Sequence, residues 1–286
     1  MGNLTPIART YPAGVTCWVE CRQPDVDAAA AFYRELFGWE TEDVLPPGAP
    51  GRYVIATLDG LDVVALSSTT EDAGSWETYV AVADAESTAP RLTELGAAEV
   101  APVADAGPGG RAATFTDPQG ARFHLWQARR RLGAQLTNAP GAWNFSDLHT
   151  PDLPAAGRFY EAAFGWRVVD QGWGHAIQVP GYGDHLESTT DPDIRTRQAS
   201  APEGFENVIG GIGPLAAGEA PHWHVTFTVA DRDATADAVR RLGGEVLRTE
   251  EDDWTRRAVV SDPGGAVFTA SQFAPSTSWD ADSVDH

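Results

Sequence analysis

Two sixteen-residue stretches, Asp25 to Glu40 (DVDAAAAFYRELFGWE) and Asp152 to Arg167 (DLPAAGRFYEAAFGWR), agree at half of their positions, and this duplication constrains the fold more than any other feature. It does not stand alone. Ala83-Asp84 and Leu95-Gly96 bracket a helix-like stretch that Ala230-Asp231 and Leu242-Gly243 bracket again. DPQGARFHLWQ (Asp117 to Gln127) is answered by DPGGAVFTASQ (Asp262 to Gln272), with Asp, Pro, Gly, Ala, Phe and Gln in register. Two copies of one domain follow, and a length of 286 residues agrees, since single hydrophobic cores stop growing near that size. The expected domains are 13–128 and 143–273, joined by a linker at 129–142 and followed by a frayed tail at 274–286.

Each copy reads as two smaller units of one plan. Val15 to Arg22 is rich in β-branched and aromatic residues and reads as a strand, ended by Pro24. Asp25 is the expected N-cap of a helix whose Ala29, Phe32, Tyr33, Leu36 and Phe37 share one face until Gly38 stops it. Strands at Thr41 to Leu45, Arg52 to Leu58 and Asp62 to Ser67 complete βαβββ, and the cycle restarts near Trp76. The second copy follows suit from Trp143, with an insertion around Tyr182 to Phe205 between its third and fourth strands. A loop of that length is expected to be functional or mobile. The fold class is therefore α+β.

Composition removes several functions. No segment approaches the ~18 consecutive apolar residues of a membrane span, and MGNLTPIART carries no apolar run after its Arg, so the expected address is cytoplasmic. Pro6 stands where a myristoylation signal needs Ser or Thr. A formal net charge of −21 repels a phosphate backbone, and the one short basic cluster, Arg129 to Arg131, reads as a solvated face. Nucleic acid and membrane are thus excluded as expected partners. Cys17 and Cys21 on one strand lie ~13 Å apart, too far for a disulfide, and read as buried thiols.

Paired βαβββ units with a D-x-x-x-A-x-x-FY-x-x-x-FGW helix and a closing DP-x-G-x-x-F strand resemble the vicinal oxygen chelate superfamily of glyoxalase I, extradiol dioxygenases and bleomycin resistance proteins. CWVE, HLWQARRRLGA and PGYGDHLE resemble its tandem two-domain actinobacterial members. The resemblance implies a half-open eight-stranded barrel per domain, whose concave face holds a ligand and often a divalent metal. The matching metal positions are Trp18, roughly Ala65, Glu77 and His124 in the first copy. In the second they are Phe145, roughly Ile209 or Gly211, His224 and Thr269. Neither set supplies three N/O donors, so no metal or other cofactor is expected, with a divalent metal kept as an alternative.

Strand parity indicates which residues share a face. Phe145, Asp147 and His149 fall on one face of their strand, and His222 and His224 on one face of theirs, so four ionisable groups are expected to line one cavity. Asp147, His149, His224 and His222 are the candidate acid/base residues; hydrogen-bonded structural histidines are the alternative. His185 and Glu187 stand at the mouth of the insertion as a candidate lid, or as surface loop. In the first copy, Trp18, Glu20 and Arg22 share a face, as do Arg122, His124 and Trp126, and Glu20 with Arg22 reads as a salt bridge. Trp39 and Trp166 are expected to seal helix to sheet, while Trp18, Trp126, Trp173 and Trp223 are candidates for an aromatic wall. No phosphate cradle, CxxC, HExxH or nucleophile elbow occurs.

Two functions remain. One is a metal-independent lyase, isomerase or cyclase acting on a hydrophobic or aromatic metabolite in the second copy. The other is a binding protein that sequesters such a molecule. In either case a monomer or homodimer is expected.

Overall fold

The computed structural model describes residues 8–172 and 174–275, so Trp173, most of the tail and the start of MGNLTPIART lie outside the described residues. The first copy runs β1 (Thr16–Gln23), α1 (Val26–Phe37), β2 (Glu40–Asp43), β3 (Tyr53–Leu58), β4 (Leu61–Ser68), β5 (Ser75–Ala81), α2 (Ala85–Glu94), β6 (Ala98–Ala106), β7 (Gly110–Thr116) and β8 (Arg122–Ala128). The second runs β9 (Trp143–Thr150), α3 (Leu153–Phe164), β10 (Arg167–Asp170), β11 (His175–Gln178), α4 (Tyr182–Ser188), α5 (Ile194–Arg197), β12 (Val208–Pro214), β13 (His222–Thr228), α6 (Arg232–Arg241), β14 (Glu245–Glu251), β15 (Thr255–Ser261) and β16 (Val267–Phe273). The expected βαβββ cycle is thus present four times. Caps explain its helix boundaries: Asp25 accepts from the Ala28 amide and Asp152 from the Ala155 amide, while Gly38 and Gly165 end their helices in the left-handed conformation.

The strand order is β2-β3-β4-β1-β5-β8-β7-β6 in one sheet and β10-β11-β12-β9-β13-β16-β15-β14 in the other. Each has two ends, so neither is a closed barrel, and the α+β tandem architecture holds. The pairs β1–β4, β5–β8, β12–β9 and β13–β16 are parallel, joined by crossovers, while the outer pairs are antiparallel.

Side-chain packing follows a different division from the sequence copies. Among the described residues, one compact unit holds 8–19, 77–135 and 145–224, and the other holds 20–76, 136–144 and 225–275. In the second of these units Tyr33 stacks on Trp39 at 5.0 Å and meets the edge of Trp76 at 5.7 Å. In the first, Tyr160 stacks on Trp166 at 4.7 Å and meets Trp223 at 5.7 Å. The indole N–H of Trp39 donates to the Gly141 carbonyl, and that of Trp166 to the Gly14 carbonyl. Both tryptophans seal their units, as the sequence pattern indicated.

The repeated Asp of the DP-x-G turn completes the frame. Tyr33 donates to Asp262 at 2.8 Å and Tyr160 donates to Asp117 at 2.9 Å, while the other carboxylate oxygen takes amides of its own turn. Hydrogen bonds to a buried carboxylate are worth about 1.5–3 kcal/mol each. Burial pushes both carboxyls above the ordinary carboxylate range, against the opposing pull of these donors. Cys17 and Cys21 are free and buried.

The insertion, expected to be functional or mobile, contains two short helices packed on the core. Tyr182 and Leu186 are one helical turn apart on α4, and with Ile194 of α5 they are buried in the core of the first unit. That apolar spacing folds the segment onto the core rather than leaving it free. No helix among the described residues is long and apolar enough to cross a membrane.

Candidate functional site

Alternation along β9 separates two faces. Ser146, Leu148 and Thr150 are buried, while Phe145, Asp147 and His149 are half-buried on the other side. On β13, Trp223 turns into the core, where its indole donates to Tyr160, so His222 and His224 occupy the opposite face. The consequence is a cluster of imidazoles. The His149 ring centroid lies 4.7 Å from that of His222 and 5.6 Å from that of His224.

Trp223 therefore corrects the aromatic-wall expectation. It is 4% exposed and stands edge-on to Tyr160 and Trp166 in the core, because strand parity opposes it to its histidine neighbours. Asp147 shares the face of His149, yet one of its oxygens accepts the Gly211 amide at 2.6 Å. A Cβ on Gly211 would come within 2.8 Å of that oxygen, so a larger residue there would push the Asp147 carboxylate aside. Asp147 thus fastens β12 to β9. His185 lies within hydrogen-bond distance of the Thr10 hydroxyl and carbonyl, and Glu187 forms an ion pair with Arg195, so both tie α4 to its surroundings.

The residue that sequence reasoning missed is Glu219, in the loop before β13. Its Oε2 lies 3.3 Å from His149 Nδ1 and accepts the Ala216 amide at 3.0 Å. Burial opposes its ionisation, but the Ala216 amide and His149 outweigh that and hold the carboxyl below its ordinary range. An acid three residues before His222 was the only available cue, and loops carry no periodicity to single it out. His222 is held differently. Its Nδ1 lies 2.8 Å from the Ala220 carbonyl, which can only accept, so Nδ1 carries the proton and Nε2 keeps a lone pair. Burial pushes its pKa down, favouring the neutral ring. One donor atom each from His149, Glu219 and His222 lies within 4.8 Å of the others.

The first copy contributes a second polar group to the same unit. His124 lies 3.2 Å from Glu77 and 3.0 Å from the Thr114 hydroxyl, Arg122 reaches Glu77 at 3.5 Å, and Tyr79 stacks on the imidazole at 4.3 Å. Trp126 donates to the Arg131 carbonyl and meets the edge of Tyr79; Trp18 is buried. In the other unit Ser67 donates to Glu20, and Arg22, expected to pair with Glu20, reaches Thr69 and Glu71.

Comparison with known proteins agrees with this architecture. A family model described as a glyoxalase-like domain matches residues 18–126 and again 131–271. The chain is 36% identical over 279 residues to a Mycobacterium tuberculosis protein named "Putative glyoxylase CFP32", covering 94% of this chain and 99% of that one. It is 32% identical over 276 residues to the anthracycline biosynthesis protein DnrV of Streptomyces peucetius, covering 91% and 93%. In fold it is similar to the Mn(II)-bound glyoxalase from Novosphingobium aromaticivorans, with a TM-score of 0.60 at 16% identity over 91% of this chain and 82% of that one. A halotolerant catechol dioxygenase, BphC, matches with a TM-score of 0.57 at 14% identity over 92% and 91%.

The metal positions implied by the resemblance do not fit a metal here. Phe145 and Thr269 replace donors in the second copy; in the first, Trp18 and Ala65 offer no donor and Glu77 already balances Arg122. The donor trio around Glu219 stands at other positions.

Proposed function

Since the chain belongs to the glyoxalase-like family, in two tandem domains, we propose that it is an enzyme moving protons on a small, hydrophobic, oxygen-bearing metabolite, in the manner of an isomerase, lyase or cyclase. The observation that carries this reading is the meeting of three imidazoles and one carboxylate on neighbouring β9, β13 and the loop between β12 and β13. His149, held by Glu219, hydrogen-bonds the oxygen of the substrate, with His222 beside it. His224 takes the proton from the adjacent carbon and returns it to the rearranged product, so no net proton is lost. Asp147 positions β12 against this face. The relative named for anthracycline biosynthesis favours an aromatic, polyketide-like substrate.

The test is solvent exchange. The protein is incubated in D2O with a panel of hydroxyanthraquinones and aromatic β-ketones, and recovered ligand is weighed by mass spectrometry. Deuterium at a carbon position supports the enzyme. A ligand that binds and returns without deuterium overturns it and leaves the sequestering protein.

A further inference from the structure

The geometry points to a binding site for a first-row divalent cation of the zinc class at His149, Glu219 and His222, displaced from the positions the family resemblance implies. Two imidazoles and a carboxylate form a donor set that first-row metals favour, and three protein ligands leave a position open for substrate or water. The donor atoms lie within 4.8 Å of one another, against about 3.3 Å around a tetrahedral ion with bonds of ~2.0–2.1 Å. Closing that gap brings the donor atoms together by up to about 1.5 Å, and Glu219 sits on a loop with its side chain half-exposed. His149 is likewise half-exposed, at the end of β9.

Two further features suit a cation rather than a plain salt bridge. The Ala220 carbonyl holds the Nδ1 proton of His222, fixing the ring and leaving Nε2 its lone pair, which is how ligand histidines are oriented. The Ala216 amide donates to Glu219 Oε2, the oxygen that also faces His149, and so holds the carboxylate toward that ring. A cation takes the place of the hydrogen between His149 Nδ1 and Glu219 Oε2, and the neutral ring then carries its proton on Nε2. The cation's chemistry, when bound, is to polarise the substrate oxygen that His149 otherwise meets. Proton transfer then falls to His224. The inference goes beyond the proton-transfer reading and does not depend on it.

The experiment titrates the metal-stripped, untagged chain with Zn2+ by calorimetry and with Co2+ by visible absorption. The expected result is one ion per chain and a thermal midpoint raised by the metal. Glu219→Gln and His222→Ala each weaken affinity by at least ~10–100-fold, and His185→Ala leaves it unchanged. Circular dichroism identifies any variant that fails to fold, and Glu219→Gln, nearly isosteric, keeps the test decisive if His222→Ala does so. Absence of stoichiometric binding overturns the site, as does binding that both variants leave intact. Either of these results leaves the enzyme to stand or fall on deuterium exchange alone.

Discussion

Two equivalent strand ends show how the copies came to differ. β1 closes on Glu20-Cys21-Arg22-Gln23 and β9 on Asp147-Leu148-His149-Thr150, each followed by Pro-Asp and a helix. Arg22 reaches Glu71, in the loop before β5, at 3.8 Å; His149 meets Glu219, in the loop before β13, at 3.3 Å. A strand end facing a loop acid is therefore a shared arrangement. A guanidinium stays charged and offers no lone pair, so the first pair is only a salt bridge, worth ~0–1 kcal/mol at such exposure. An imidazole can move a proton or bind a cation. His149 in place of Arg22, together with His222 and His224 where the first copy has Ser75 and Glu77, turns a tie into a candidate site on a shared frame.

The frame itself is where the comparison is tested most severely. Trp39→Ala and Trp166→Ala should each cost about 3–5 kcal/mol in urea unfolding, since each removes a buried ring and strands a carbonyl. Losses that differ by more than about 2 kcal/mol would break the equivalence of the units.

A smaller effect distinguishes them. Tyr160→Phe and Tyr33→Phe should each cost about 1–3 kcal/mol, with Tyr160 the costlier, because Asp262 keeps a second donor in Gln23 at 2.6 Å. The pH dependence has a definite sign. Both aspartates have folded pKa values raised by burial, so their stabilising contribution is full below the unfolded value and lost as pH rises through the folded one. The tyrosine hydroxyl opposes that rise, so each Phe variant shows a deficit that grows from acid to neutral pH. Unfolding measured across that range with a deficit growing toward acid contradicts it.

Gln23 sharpens the contrast further. A Cβ on Gly264 would meet Gln23 Oε1 at 2.1 Å, whereas the other copy has Gln119 in place of Gly264 and Thr150 in place of Gln23. Gly264→Ala should cost about 1–3 kcal/mol alone and less in Gln23→Thr, a coupling read by a double-mutant cycle. Additive losses would show the two positions to be independent. Smallest of all, Arg22→His should change stability by under ~1 kcal/mol, measured by the same unfolding.

The frame was legible in the sequence because FY, FGW and DP-x-G repeat where packing demands them. Helix caps at Asp25, Asp152, Gly38 and Gly165 were readable from local chemistry alone. What escaped reading came from long-range pairing. That Tyr33 would meet Asp262, and Tyr160 Asp117, follows from packing across the copies, which no periodicity encodes. Parity placed His149, His222 and His224 on the correct faces, but the same parity should have moved Trp223 from the aromatic wall to the core. Glu219 escaped because a loop acid has no pattern until the turn at Ala216 folds it back.

The central claim is that the frame is duplicated and the chemistry is not. Deuterium exchange into an aromatic ketone, compared among His149→Ala, His224→Ala and Arg22→Ala, tests it most directly. The expected result is a loss of at least ~100-fold in the two histidine variants and a wild-type rate in Arg22→Ala. A wild-type rate in His224→Ala, or an equal loss in Arg22→Ala, would contradict it.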